Sequence, residues 1–232
     1  MFPESFTFSI ADWVNGWVDA LVTHYGDVFR HISDTLLWAI VNLEGLLRMA
    51  PWWLMLAIVG GIAWHATRKL LTTAVIVGLL FLVGAVGLWD KLMQTLALML
   101  VATLISVLIG IPLGILSARS NRLRSVLMPL LDIMQTMPSF VYLIPVLMLF
   151  GLGKVPAIFA TVIYAAPPLI RLTDLGIRQV DGEVMEAINA FGANRWQQLF
   201  GVQLPLALPS IMAGINPVSY THLRAHETRG NL

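Results

Sequence analysis

Apolar and polar positions fall in blocks along the chain, and the longest apolar blocks match the thickness of a lipid bilayer. A spanning helix takes about 20 mainly apolar residues, with about 17 to 25 tolerated. Leu70 to Trp89, LLTTAVIVGLLFLVGAVGLW, carries no charge and predicts one span. Leu92 to Ala118 predicts a second and Leu127 to Phe150 a third. Val155 to Ile170 is shorter, and tilting or an outstretched Arg171 extends it. Pro51 to Ala66, PWWLMLAIVGGIAWHA, is also short, but its tryptophans stand near both ends, where a span meets the two interfaces. The pattern predicts five spans and an all-α, polytopic membrane fold.

The first 50 residues follow a different rhythm. Trp13, Trp17 and Leu21 recur at helical spacing beside Val14, Val18 and Tyr25, with Asp12, Asn15, Asp19 and Asp27 elsewhere on the wheel. This predicts an amphipathic helix. Asp34 to Arg48 reads the same way, and Glu44 can pair with Arg48 across one turn. Residues 1–50 are therefore expected to be an amphipathic extension at the membrane boundary. MFPESFTFSI lacks the basic and apolar regions of a cleaved leader, so an internal apolar segment is expected to direct insertion.

Basic residues near span ends are retained on the cytoplasmic side. Arg68 and Lys69 mark one such loop, Arg119, Arg122 and Arg124 a second, and Arg171, Arg178 and Arg195 a third, whereas the alternate loops hold only Lys91 and Lys154. The N-terminus is thus expected outside and residues 174–205 in the cytoplasm. Composition supports the membrane reading: 58% of the 232 residues are hydrophobic and 12% charged, against about 25% charged in ordinary globular chains. A net charge of +1 without a basic stripe gives no reason to expect nucleic-acid binding. Without cysteine, the chain has no disulfide, thiolate nucleophile or cysteine metal site.

The cytoplasmic segment carries its own punctuation. Asp181 can cap a helix, with Glu183 complementing the dipole at its start. Val184, Ile188 and Phe191 then share one face, and Gly192 supplies a left-handed stop. Asn194 can cap a second short helix whose apolar face is Trp196, Leu199 and Phe200, and Leu204 and Pro205 are expected to close the hairpin. Apolar residues exposed on two short helices are covered by the spans, by lipid headgroups or by a partner.

The spacing narrows that choice. Glu186 and Ala187, then Gly192, then Val202, Leu204 and Pro205 resemble the EAA loop of binding-protein-dependent ABC importer permeases, which reads E-A-A, three residues, G, nine residues, I-x-L-P. Ile188 and Val202 are mild departures from it. The resemblance covers roughly Trp89 to Asn216, and within the family it is to permeases of glycine betaine and proline betaine importers. It implies a type I ABC importer permease bundle that works as a homodimer in the inner membrane. Its EAA loop would form a coupling helix docking on a separate ATPase, with Glu186, Ala187, Gly192, Val184, Ile188, Phe191, Leu204 and Pro205 as the contact set. ATP and magnesium would sit on that partner, no cofactor or catalytic residue in this chain, and a binding protein would deliver substrate from outside. Relatives continue into two further spans, whereas Leu206 to Ile215 is too short to cross a bilayer. The chain is therefore expected to be incomplete at the C-terminus, with residues 217–232 an atypical tail.

Other candidate chemistry is sparse. GLGK, Gly151 to Lys154, departs from a phosphate-binding loop because Val155 follows the lysine. DIMQTMPSF, Asp132 to Phe140, is the most polar piece inside a predicted span, and Pro138 invites a break there. Two readings fit: Asp132, Gln135, Thr136, Pro138 and Ser139 line the translocation path, or Asp132 reaches toward Arg124 and the proline bends a packing helix. GIPLG, Gly110 to Gly114, suits close helix contact better than a functional kink. Trp38, Trp52, Trp53, Trp64 and Trp89 suit interface anchors better than a cage for a quaternary ammonium. His222 and His226 have helical ligand spacing but no third ligand, so no metal site is expected.

The expected function is the channel subunit of an ATP-driven importer for glycine betaine, proline betaine or a related compatible solute, with another quaternary amine or an amino acid as the alternative cargo. A secondary transporter working without ATP is a rival, favoured by paired ionisable residues in mid-membrane, as is a membrane scaffold whose hairpin only recruits a protein.

Overall fold

The computed structural model describes residues 10–215, which are almost entirely helical and contain no strand. In chain order the helices are α1 (Ile10–Met49), α2 (Trp52–Thr67), α3 (Leu70–Ala85), α4 (Trp89–Arg119), α5 (Asn121–Thr136), α6 (Ser139–Phe150), α7 (Lys154–Arg178), α8 (Gly182–Ala190), α9 (Arg195–Gln198) and α10 (Leu204–Ile215). The all-α expectation holds. Two compact units divide the described residues, one formed up to Val101 together with Leu147–Ile158, the other by Ala102–Val146 and the residues from Phe159 onward.

In the first unit, α1 runs unbroken for 40 residues, so the two amphipathic stretches of the sequence are one helix. A 97° bend separates it from α2, where Pro51 cannot donate to the helical ladder. Arg68, at φ 54°, turns the chain from α2 into α3, and the two helices pack as a hairpin. Gly60 lets them close in, since a Cβ there would stand 3.2 Å from Val77 Cγ2. Each is 16 residues, about 24 Å of helix. Their outward side chains are apolar, Ile62 65% and Leu71 79% exposed, as befits surface that faces lipid. Trp52 and Phe81 lie 6.4 Å apart between them.

A four-residue ionic cluster ties α1 to this unit. Glu44, 7% exposed, accepts a hydrogen bond from Lys154 Nζ at 2.6 Å and pairs with Arg48 at 2.9 Å, while Arg48 Nε reaches Asp90 at 3.8 Å. Lys154 of the GLGK segment is thus an ion-pair partner.

The second unit is organised by glycines. A Cβ on Gly110 would lie 2.9 Å from Leu169 Cδ2, and one on Gly114 2.5 Å from Thr173 Cβ and 2.9 Å from the Ile170 carbonyl. These two residues let α4 lie against α7 almost backbone to backbone, and α4 stays one helix across Pro112. Gly176 of α7 and Gly214 of α10 do the same, their Cβ positions falling 2.8 Å from Ser210 Cβ and 3.0 Å from Leu169 Cα. In lipid, where burial against other apolar groups gains little, such small-residue contacts are what hold helices together. Leu169, Ile177, Leu199, Ala207 and Ile211 form the buried cluster at their meeting point.

Two boundaries differ from the sequence reading. α7 continues past Ile170 to Arg178, so Arg171 and Arg178 belong to a helix and the connection to α8 begins at Gln179. Leu204 and Pro205 do not close the hairpin, because a π-helical turn, Leu199–Gln203, joins α9 to α10. Pro205 lacks an N–H and its ring crowds the Gly201 carbonyl, which a wider turn relieves. The joined rod, Arg195–Ile215, is 21 residues and long enough to span a bilayer, which corrects the short apolar run from Leu206. With Trp89–Arg119 and Lys154–Arg178 it gives, among the described residues, three helices of spanning length, or up to five spans if each bent pair counts as one.

Candidate functional site

The hairpin of α8 and α9 is built by local capping. Asp181 accepts a hydrogen bond from the Glu183 amide at 2.9 Å, opening α8. At its other end Gly192 has φ 74°, and the amides of Gly192 and Ala193 donate to the carbonyls of Asn189 (2.9 Å) and Ile188 (3.2 Å). This pair of bonds is a Schellman stop, and it requires the left-handed residue. Asn194 Oδ1 accepts from the amides of Trp196 and Gln197, while Gln197 Oε1 accepts from the Asn194 amide, a complete capping box. Gln198 Nε2 then donates to Asn189 Oδ1 at 2.7 Å and to the Ala193 carbonyl at 2.8 Å, fastening the second helix to the first.

Four large apolar side chains of this capped turn are bare. Val184 is 39%, Phe191 91%, Trp196 66% and Phe200 60% exposed, and the Trp196 and Phe200 rings stack at 5.7 Å. Glu186 and Ala187 are exposed beside them, whereas Ile188 is half-buried. Leu204 packs against the buried cluster at the base, and Pro205 is exposed on the rod. The predicted contact set therefore splits between the tip and the base.

The base is fixed to α4 and α7. Leu199 is 2% exposed within the apolar cluster. Arg119, at the end of α4, donates from Nη2 to the Arg195 carbonyl at 2.9 Å, and its guanidinium lies 6.0 Å from the Trp196 ring centroid.

Asp174 was not singled out by sequence, yet it is 1% exposed and its carboxylate is gripped from two helices. Arg124 Nε of α5 reaches Oδ2 and Arg178 Nε of α7 reaches Oδ1, both at 3.1 Å. Arg178 Nη2 also donates to the Ser117 carbonyl of α4 at 2.9 Å. The four-residue spacing of Asp174 and Arg178 was the available signal.

The polar segment of α5 departs from expectation in its partner. Asp132 pairs with Arg171 of α7. It does not reach Arg124, which lies eight residues along, about 12 Å on a helix, and is engaged by Asp174. α5 ends at Thr136, Met137 is extended at ψ 139°, and α6 begins at Ser139, so the break falls at Pro138. Asp132, Gln135, Thr136 and Pro138 are exposed, and Thr136 Oγ1 donates to the Ile133 carbonyl at 3.2 Å. Among the described residues no group of three or more acidic or histidine side chains is placed to hold a metal ion; His222 and His226 lie outside them.

The described residues thus combine several helices long and apolar enough to span a bilayer with an exposed, internally capped hairpin. The sequence matches the family of binding-protein-dependent transport system inner membrane components over residues 110–218. Over 204 residues, 88% of this chain, it is 46% identical to the glycine betaine/proline betaine transport system permease protein ProW of Escherichia coli K12, covering 57% of that protein. It is 40% identical to the glycine betaine transport system permease protein OpuAB of Bacillus subtilis 168, with 89% of this chain and 73% of the relative aligned. It is 42% identical to the glycine betaine/carnitine transport permease protein GbuB of Listeria monocytogenes 10403S, with 92% and 77% aligned. The chain belongs to the binding-protein-dependent transport system inner-membrane family, and is a multi-pass membrane protein.

Proposed function

We propose that this chain is the transmembrane subunit of an ABC importer for glycine betaine, proline betaine or a related compatible solute. The observation that carries the reading is the hairpin: an apolar tip left bare on a turn that its own caps make rigid. A surface of that kind is suited to seating in a groove of a partner, and the EAA spacing from Glu186 to Pro205 supplies the ATPase as that partner. The relatives aligned over most of this chain carry glycine betaine in their names, which supports the cargo class.

In this mechanism a loaded binding protein docks on the outer face, the side on which the basic-residue pattern leads us to put the N-terminus. ATP with magnesium closes the partner ATPases, the hairpins of two copies of the chain move with them, and the spans alternate between outward and inward access. Asp132, Gln135, Thr136, Pro138 and Ser139, at a broken helix, are the proposed path residues, since irregular backbone at membrane depth is tolerated where it lines a cavity.

Reconstitution with the ATPase and binding protein, followed by uptake of labelled glycine betaine, tests the reading. Uptake that requires ATP and both partners supports it. Uptake without ATP would make the chain a secondary transporter, and partner binding without uptake would make it a scaffold. Phe191→Ala is expected to weaken ATPase binding by about 1–2 kcal/mol while leaving the chain's thermal midpoint unchanged, because the ring is 91% exposed.

A further inference from the structure

Asp174 sits where three helices and the hairpin base come together. Its two carboxylate oxygens are taken by guanidinium groups of α5 and α7, and Arg178 carries the link on to the backbone of α4 at Ser117. Two residues further along α4, Arg119 holds the first carbonyl of α9 and covers the Trp196 ring. The connection from hairpin to α5 is therefore continuous, and it consists of charged contacts with defined donor and acceptor atoms. Apolar contacts alone would let α5 slide, since helices in lipid have little to gain by staying in one register. A carboxylate 2% exposed, by contrast, depends on these two arginines for its compensation.

We propose that Asp174 is a positioning residue for energy coupling: it makes the ends of α4, α5 and α7 move as one body with the hairpin. The inference rests on the coupling reading of that hairpin. Displacement of the hairpin is handed by Arg119 to α4, by Arg178 to α7 and by Arg124 to α5, whose far end breaks at Pro138. Asp174→Asn removes the shared charge, and Arg124→Gln cuts only the link from Asp174 to α5, leaving Asp174 paired with Arg178 and Asp132 of α5 paired with Arg171.

The test compares ATP hydrolysis and solute uptake in the same vesicles for the native complex and both variants. Hydrolysis is expected to persist while uptake per ATP falls about tenfold in both variants, within the usual range for coupling between two sites. Unchanged uptake per ATP in Arg124→Gln overturns the proposal. So does a parallel loss of hydrolysis, uptake and assembly in both variants, which would make the cluster a structural tie only. Should the native complex hydrolyse no ATP in response to substrate, the functional reading falls, and the positioning role is still decided by distance. The chain has no cysteine, so Ala190→Cys and Arg122→Cys can be spin-labelled and diluted into unlabelled chain. One narrow distance that Arg124→Gln broadens supports the tie between hairpin and α5; an unaltered distribution overturns it.

Discussion

Asp132 of α5 is held by Arg171 of α7, 39 positions later in the chain. The pair bridges the helix that breaks at Pro138 and the helix that runs on toward the hairpin. Asp132→Asn and Arg171→Met are each expected to lower the thermal midpoint, and the double variant to lose less than their sum. Because the Asp132 side chain is 62% exposed, the coupling energy should be small, about 0.5–1 kcal/mol. Melting of the four proteins in detergent measures it, and strict additivity would show that the pair contributes nothing.

Gly114→Ala should be among the more damaging single-methyl changes in the chain. The added carbon would overlap Thr173 Cβ and the Ile170 carbonyl, neither of which is the free end of a flexible side chain. A loss of about 1–3 kcal/mol is expected. Gly61→Ala, in a helix with open space around it, should instead stabilise by about 0.5–1 kcal/mol. Thermal midpoints of opposite sign are the outcome to look for.

At Gly192 the constraint is backbone, since nothing lies within 4 Å of a Cβ there. Left-handed φ costs an ordinary residue about 1–2 kcal/mol, and asparagine less than a β-branched side chain. Gly192→Asn should keep slow exchange at the amides of residues 192 and 193, and Gly192→Val should lose it. Equal exchange in both would contradict the Schellman assignment.

Lys154→Met leaves Glu44 with Arg48 as its remaining cation. The buried carboxylate should then weaken the seating of α1 by about 1–3 kcal/mol. Limited proteolysis within α1, faster in the variant than in the native chain, is the readout.

Local chemistry was the legible part of the sequence. Asp181, Gly192 and Asn194 are read correctly because a cap is decided by residues two to four positions away. The glycines of GIPLG and the break at Pro138 follow for the same reason, each acting through its own missing atoms. Pairings between distant segments were not legible: Asp132 with Arg171 and Asp174 with Arg124 depend on how far α5 and α7 slide past each other. Apolar periodicity leaves that register open. It also hid the union of α9 with α10, because a proline after an apolar stretch ordinarily signals an end, and here the wide turn absorbs it.

The π turn also sets a phase. Leu199 and Ala207 are eight residues apart, which on a regular helix would leave them about 80° out of line, yet both belong to one buried cluster. The surplus residue of the wide turn makes the separation equivalent to seven, two full turns. Removing Gly201 together with Pro205→Ala should therefore yield a regular helix with Leu199 still over Ala207 and a midpoint near the native one. Removing Met212 should swing Gly214 off Leu169 by about 100° and unfold the seam. The hairpin is indexed to the span by one spare residue, so that the helix can lose a count there and keep its faces.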